Sequence, residues 1–324
     1  MSIVFRPVRP GDRPALLHLF KLSFGAEPSL DEWIWKYDRN PRRSISVGAF
    51  DGEKAVGFFG GIGTRYRGAD GDLPGTSSVD VMTDPAVRSL GKQSFFKELG
   101  ETYRRLNAEI GIPFDFGFPH ERARKIEERL LGCVTIERAG QLARPVDGLG
   151  GRRGSGRLLR RARVDEPFGA AHRSLAEALH ARAGWRTDRS DDVLGWRFSG
   201  RPSVSYRSVQ LVGLGGGSLG YAVVRVTGDA ALLVDLQVRN ETSPALGDLL
   251  AEVGELARAA GSEIRTLRVR LPQGSPLAAR LAGEFSFAPE ESDTVFLVRS
   301  LFPEFDLLPA ARHFDYRYAD HDVF

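Results

Sequence analysis

The same short pattern occurs twice in this chain, and that duplication constrains the fold more than any other feature of the sequence. Trp35-Lys36-Tyr37 followed by Pro41 matches Trp196-Arg197-Phe198 followed by Pro202: aromatic, base, aromatic, three residues, proline. Downstream, Val56-Gly57-Phe58 parallels Leu219-Gly220-Tyr221, and Val79-Asp80-Val81 parallels Val234-Asp235-Leu236. Three matches in one order point to a duplicated module. A length of 324 residues is also that of two domains. The Trp-base-aromatic element has two readings, a substrate wall or a plug in the core beneath a sheet.

The first half reads as β-α-α-β-β-β-α-β-α-β. Strands fit 3–8, 46–50, 55–66, 76–83, 114–118 and 134–139 by composition and alternation. Among the helices, 89–107 carries Phe95, Phe96, Leu99, Tyr103 and Leu106 on one face, and 121–131 follows the fifth strand. After 165 the pattern restarts, with helices over 170–183 and 244–260 and strands over 205–211, 218–227, 230–238, 264–271 and 294–299. The predicted class is α/β (α+β), two tandem modules that each hold a mixed central sheet flanked by helices. The first module spans 1–144 and the second 165–302. A Gly/Arg-rich linker occupies 145–164, and a tail, 303–324, packs toward the cleft. The linker arginines 152, 153, 157, 160, 161 and 163 read as a solvated basic segment or as contacts to phosphate or an acidic partner. In the tail, Phe314, Tyr316, Tyr318 and Phe324 alternate with Asp315, Asp320 and Asp322, too many aromatics for a solvated coil.

With 42% hydrophobic and 27% charged residues the chain is globular, neither disordered nor fibrous. A net charge of +3 is no nucleic-acid footprint. A single cysteine, Cys133, excludes an internal disulfide and a multi-cysteine metal site, which fits a reducing cytoplasm. Met1–Pro10 lacks the apolar core of an export signal, and the uncharged run 208–224 is broken by glycines into an expected hairpin. The expectation is a cytoplasmic protein without metal, nucleic-acid partner or membrane partner. Its oligomeric state is left open, a homo-oligomer included.

Chemistry concentrates in Val79 to Gln93. A strand runs into Asp84-Pro85, and Arg88-Ser89-Leu90-Gly91-Lys92-Gln93 then opens a helix. Such a turn leaves backbone N–H groups unpaired at a helix N-terminus, an anion site suited to a pyrophosphate. It is equally the form of an ordinary strand-to-helix turn.

The element order and this turn resemble the GNAT superfamily of N-acetyltransferases, whose loop reads Arg/Gln-x-x-Gly-x-Gly/Ala. Arg88 and Gly91 fall on the first two fixed positions, and Gln93 stands where a small residue is usual. Phe116-Gly117-Phe118-Pro119 fits the family's fifth strand, and Leu131-Gly132-Cys133 fits its Leu-Gly-Phe helix exit. The resemblance implies acetyl-CoA bound along Val81, Met82 and Thr83 and on Arg88, Ser89, Leu90, Gly91, Lys92, Gln93 and Ser94. The pantetheine arm would enter between the strands ending near Thr83 and Phe118. The two Trp elements and the tail Tyr318–Phe324 resemble bacterial tandem acetyltransferases akin to the enhanced-intracellular-survival proteins, without their sterol-carrier-like domain. Asn240-Glu241-Thr242-Ser243-Pro244 replaces the phosphate loop in the second module. That module is expected to be cofactor-free, shaping the acceptor cleft or a dimer contact.

The implied reaction is acetyl transfer from a thioester to a neutral amine, aided by a base and by an acid for the leaving thiolate. Four candidates carry these roles. Glu128 stands where many relatives have a tyrosine acid; it serves if its pKa is raised and is otherwise a solvated surface acid. Asp80 is a base or a structural hydrogen-bond acceptor. His120 follows the fifth strand. Phe324 offers the terminal carboxylate that acts as base in the tandem relatives, beside a tail whose Asp320 and Asp322 would attract a cationic amine. The expected function is an acetyl-CoA-dependent N-acetyltransferase acting on a small amine. The alternatives are transfer of another acyl group and a degenerate fold kept for binding.

Overall fold

The structure, a computed structural model, describes residues 3–68, 71–88, 93–149, 160–182, 184–241, 244–261 and 263–321. The chain forms two compact units. One comprises Met1–Tyr66, Asp72–Glu137 and Thr294–Arg312; the other comprises Arg67–Gly71, Arg138–Asp293 and His313–Phe324.

The sheet of the first unit has the order β1 (Ile3–Pro7), β2 (Val47–Asp51), β3 (Lys54–Gly68), β4 (Gly71–Thr83), β5 (Phe114–Gly117), β15 (Val295–Ser300), β6 (Val134–Arg138). Side chains alternate across it as strand geometry requires. Val47, Ala49, Val56 and Phe59 pack with Leu99, Tyr103 and Leu131 of the helices Gln93–Glu109 and Glu121–Leu131. Phe50, Ala55, Phe58 and Met82 form a second core with Leu16 and Leu19 of the helix Arg13–Phe24. Gly100 has a steric reason: a Cβ there would collide with Leu131 Cδ2 of the neighbouring helix.

The second unit orders its strands β14 (Ala288–Pro289), β7 (Gly140–Pro145), β13 (Thr266–Leu271), β12 (Ala230–Val238), β11 (Ser218–Thr227), β10 (Arg207–Gly213), β8 (Arg160–Val164). Leu246, Leu249, Leu250 and Val253 of the helix Ala245–Ala260 cover one face. Leu175 and Leu179 of the helix Ala170–His180 lie in the other core. A short parallel pair, β9 (Trp185–Thr187) with β16 (Phe314–Asp315), completes this unit.

Two features depart from the boundaries read in sequence. The strand expected to close the second module is β15, and it lies in the first sheet, antiparallel to β5 with Val298 opposite Phe116. Conversely β7, whose residues up to 144 fall within the predicted span of the first module, lies in the second sheet with Val269 opposite Leu142. Each sheet therefore takes a strand from the other half of the chain. An apolar run identifies a strand but carries no signal for which sheet receives it. Of the linker arginines, 160, 161 and 163 stand in β8, where Arg160 pairs with Asp248 and Arg163 with Glu166; 152, 153 and 157 lie outside the described residues. No helix among the described residues is long and apolar enough to cross a membrane.

The sequence repeat is a structural repeat. Leu30–Trp33 and Asp191–Leu194 are single helical turns, and each widens into a π-turn, Ile34–Asp38 and Gly195–Ser199. Each π-turn closes with an i→i−5 hydrogen bond, Arg39 N–H to Ile34 C=O (3.0 Å) and Gly200 N–H to Gly195 C=O (2.8 Å). Trp35 is 1% exposed, so in the first unit the element plugs the core.

Candidate active site

The site begins where two parallel strands part. β4 pairs with β5 over three residues only, Gly75 with Phe114, Thr76 with Asp115 and Ser77 with Phe116, and then runs on to Thr83 without that partner. Backbone groups on this edge are left to pair with an extended ligand, because a strand edge is a template for another strand-like chain. Beyond the parting stands Asp80, whose φ of 48° places it in the left-handed region that asparagine and aspartate tolerate best. Two donors hold it there through Oδ2: the Lys36 ammonium at 2.9 Å and the Tyr37 phenol at 2.6 Å. The base and the second aromatic of the first repeat element thus clamp the kinked strand.

Beyond the kink, Val81 and Thr83 line a cleft of about 550 Å³ closed by Phe95, Phe96, Ile126 and Glu127. Its mouth adjoins the turn that Asp84 organises, by accepting the Ala86 N–H at 2.8 Å and pairing with Lys54 at 2.7 Å. The Ser23 hydroxyl, in the wall, is buried with no hydrogen-bond partner among the described residues. An open strand edge, a largely apolar trough and an orphaned hydroxyl together fit a long, flexible, partly polar ligand arm.

One buried acid, Glu127, lines the cleft, and a second, Asp115, acts on it electrostatically without lining the cleft. Glu127 is 9% exposed, and burial, reinforced by the charge of Asp115, pushes its carboxyl up to about 8. Asp115 is 3% exposed and accepts a 2.5 Å hydrogen bond from Ser78. Burial lifts its carboxyl to about 7, against the opposing effects of Ser78 and Arg299. Arg299 is engaged by Glu101 at 2.6 Å. The Cys133 thiol is pushed up by burial and by Glu127 and is no nucleophile. Neither carboxylate was singled out in the sequence, although a signal was present. Ala123, Glu127 and Leu131 recur at helical spacing on the inward stripe of an amphipathic helix, and an acid on such a stripe is anomalous.

The candidates named from sequence separate. Glu128, one residue along, takes the second of its two readings, an acid held at the surface rather than one with a raised pKa. It takes hydrogen bonds from Thr135 (2.7 Å) and Arg124 (2.6 Å), which hold it below the usual carboxylate range, and it does not line the cleft. An acid so held is ionised and has no proton to give. His120 lines the cleft, but its Nδ1 caps the helix by accepting the Ala123 N–H at 3.4 Å. That contact gives its Nδ1 a structural role as the helix N-cap. Val81 and Thr83 are brought together in the wall. Met82, between them on the strand, sends its side chain into the core, fully buried with Leu16 and Phe58. Ser89, Leu90, Gly91, Lys92 and Phe324 lie outside the described residues, as do the side chains of Arg88, Gln93 and Ser94. Among the described residues no group of His, Cys, Asp and Glu could hold a metal ion.

The second unit repeats the parting of strands and fills it. β12 pairs with β13 from Ala230–Thr266 to Leu233–Val269 and then continues to Val238. The tail lies in the gap. Arg317 Nε donates to the Leu236 carbonyl (3.2 Å), and the Arg270 guanidinium of β13 sits 4.7 Å from the Tyr318 ring centre. Asp235, the counterpart of Asp80, pairs with Arg189 (2.8 Å) and Tyr221 (2.7 Å), while Arg197, the counterpart of Lys36, bonds the His321 carbonyl. Asp320 is bound by Arg189 at 3.0 Å and by Thr187 at 2.7 Å. Its expected role as a lure for a cationic substrate is therefore corrected, since its charge is already spent on Arg189. Asp322 lies outside the described residues.

No family model matches the chain, and no curated protein sequence does. Solved structures resemble it. A conserved Enterococcus faecalis V583 protein described as a probable N-acyltransferase aligns with TM-score 0.70 and 12% identity, over 93% of this chain and 73% of that one. A GCN5-related N-acetyltransferase from Kribbella flavida aligns with TM-score 0.67 and 16% identity, over 93% and 72%. A tandem GNAT protein from the clavulanic acid biosynthesis pathway aligns with TM-score 0.62 and 15% identity, over 94% and 100%. Likeness at these identities is likeness of fold, and the chain has the tandem GNAT fold.

Proposed function

We propose that the first unit transfers an acyl group, acetyl foremost, from coenzyme A to the amine of a small acceptor. The observation that carries this reading is the open gap beyond Ser77 between β4 and β5, which ends in the 550 Å³ cleft. The β4 edge beyond Ser77, at Val81, would pair with the pantetheine arm, and its N–H groups would polarise the thioester carbonyl. The segment 88–94, read from the sequence as a phosphate loop, would take the pyrophosphate on backbone N–H groups, with Arg88 and Lys92 adding charge. Asp80, held by Lys36 and Tyr37, is assigned to anchoring the kink rather than to proton abstraction. The second unit, its gap filled by Arg317 and Tyr318, is assigned no thioester.

Thermal unfolding with and without acetyl-CoA tests this. At a ligand concentration 100 times Kd the folded state gains about 2.7 kcal/mol, so Tm rises. Thiol release across a panel of small amines then identifies the acceptor. Gly91→Glu, which sets a carboxylate against the pyrophosphate, should abolish the shift. No shift with any CoA thioester would overturn the proposal. A shift without turnover on any amine would leave a binding protein of the same fold.

A further inference from the structure

We propose that Glu127 is the proton donor to the departing thiolate, and that Asp115 is the positioning residue that keeps the proton on it. This rests on the acyl-CoA reading. Glu127 is the one carboxylate in the described cleft wall, and it enters from the inward stripe of Glu121–Leu131 beside Val81 and Phe95. Family resemblance led instead to Glu128, whose carboxylate is held outside the cleft by Arg124 and Thr135.

The groups facing Glu127 decide its state. From β5 comes Asp115, a like charge; from β15 comes Arg299, shared with Glu101; after its own helix comes the neutral Cys133 thiol; along the cleft wall stand His120, Arg122 and Arg129. Burial and Asp115 outweigh Arg299, and the carboxyl rises to about 8. That lies close to an ordinary thiol at ~8.5, the match that favours proton transfer to a leaving sulfur near neutral pH. The step balances. The amine nitrogen bonds to the thioester carbon, the C–S bond breaks with its pair on sulfur, and sulfur takes the proton from Glu127. The proton lost by the nitrogen passes to solvent, and solvent restores the one on Glu127.

The experiment uses the full chain and three variants, E127Q, E127A and D115N. With acetyl-CoA, E127Q should lower kcat about 100-fold, the low end for a lost general acid, while acetyl-CoA affinity by calorimetry stays within about twofold of wild type, a change worth only ~0.4 kcal/mol. With an aryl thioester, whose thiolate leaves unprotonated, the loss should shrink below tenfold. E127A should behave alike, which separates chemistry from a folding defect of one variant. A carboxyl 13C NMR titration of the unliganded protein should show a glutamate titrating near 8, absent in E127Q and moved to lower pH in D115N. The alkaline limb of kcat should move down with it. Equal losses with both thioesters, an unchanged kcat in E127Q, or a Glu127 titration in the ordinary carboxylate range would each overturn the assignment. Failure of wild type to bind acetyl-CoA would instead overturn the reading beneath it.

Discussion

The gap beyond Ser77 between β4 and β5 and the gap beyond Leu233 between β12 and β13 arise in the same way and end in opposite states. In both, a parallel pairing of a few residues stops while one strand continues, and in both an aspartate stands on the continuing strand. In the first, Asp80 is clamped by the repeat's own lysine and tyrosine, and the space beyond is an open cleft. In the second, Asp235 takes an arginine from elsewhere, Arg189, and that arginine also binds Asp320 of the tail, drawing Arg317 and Tyr318 into the space. One duplicated framework thus gives a site to be filled by a ligand and a site already filled by the chain. The difference lies in which base answers the aspartate shared by the two copies of the repeat, not in the strands themselves.

Breaking the filled gap should have the largest effect. Arg189→Ala leaves Asp235 and Asp320 buried without their cation, and such a loss costs about 3–5 kcal/mol. Urea unfolding should show it as a large drop in midpoint. An unchanged midpoint would mean that the tail is not held as described.

The open gap should show itself in pH. Glu127 and Asp115 hold folded-state pKa values raised above those of the unfolded chain, so folding retains protons that unfolding releases. Stability from these groups is full below the ordinary carboxylate range and is lost as pH rises toward about 8, by at most ~1.4 kcal/mol per pH unit per proton. Wild type should therefore lose urea midpoint relative to E127Q between about pH 5 and pH 8. A difference that does not change with pH would contradict the two buried, protonated acids.

The clamp comes next. Asp80→Asn keeps a residue tolerant of φ 48° but leaves the Lys36 ammonium, 8% exposed, facing a neutral amide, at a cost of about 1–3 kcal/mol. Asp80→Val adds the strain of a β-branched residue in the left-handed region and should be worse by about 1–3 kcal/mol. Equal destabilisation would show that the kink is not strained. The smallest effect belongs to Glu128. Its pairs with Arg124 and Thr135 lie outside the cleft, so E128Q should leave turnover within about twofold of wild type, as expected of a partly exposed ion pair that touches no reacting group. A large loss would return the acid's role to it.

Much of this was legible in the sequence. The Trp-base-aromatic repeat marked both π-turns, and the alternation and helical periodicity located most strands and helices. Other features were not readable there. An apolar run such as Val295–Ser300 does not say which sheet receives it, and the exchange of β7 and β15 follows from tertiary packing alone. The tail's aromatics declared that it packs, but its destination depended on Arg270 and Leu236, far away in sequence. At the site, family analogy pointed to position 128, whereas the stripe Ala123, Glu127, Leu131 pointed to 127. Helical periodicity was the better guide, because burial follows the helix face and burial sets the proton affinity.

Counting bound ligand by equilibrium titration of the full chain with acetyl-CoA tests the contrast between the two gaps most directly. An open first gap and a filled second predict one equivalent per chain, lost in Gly91→Glu. Two equivalents would show that the tail does not close the second gap, and none would show that the first gap is not a thioester site.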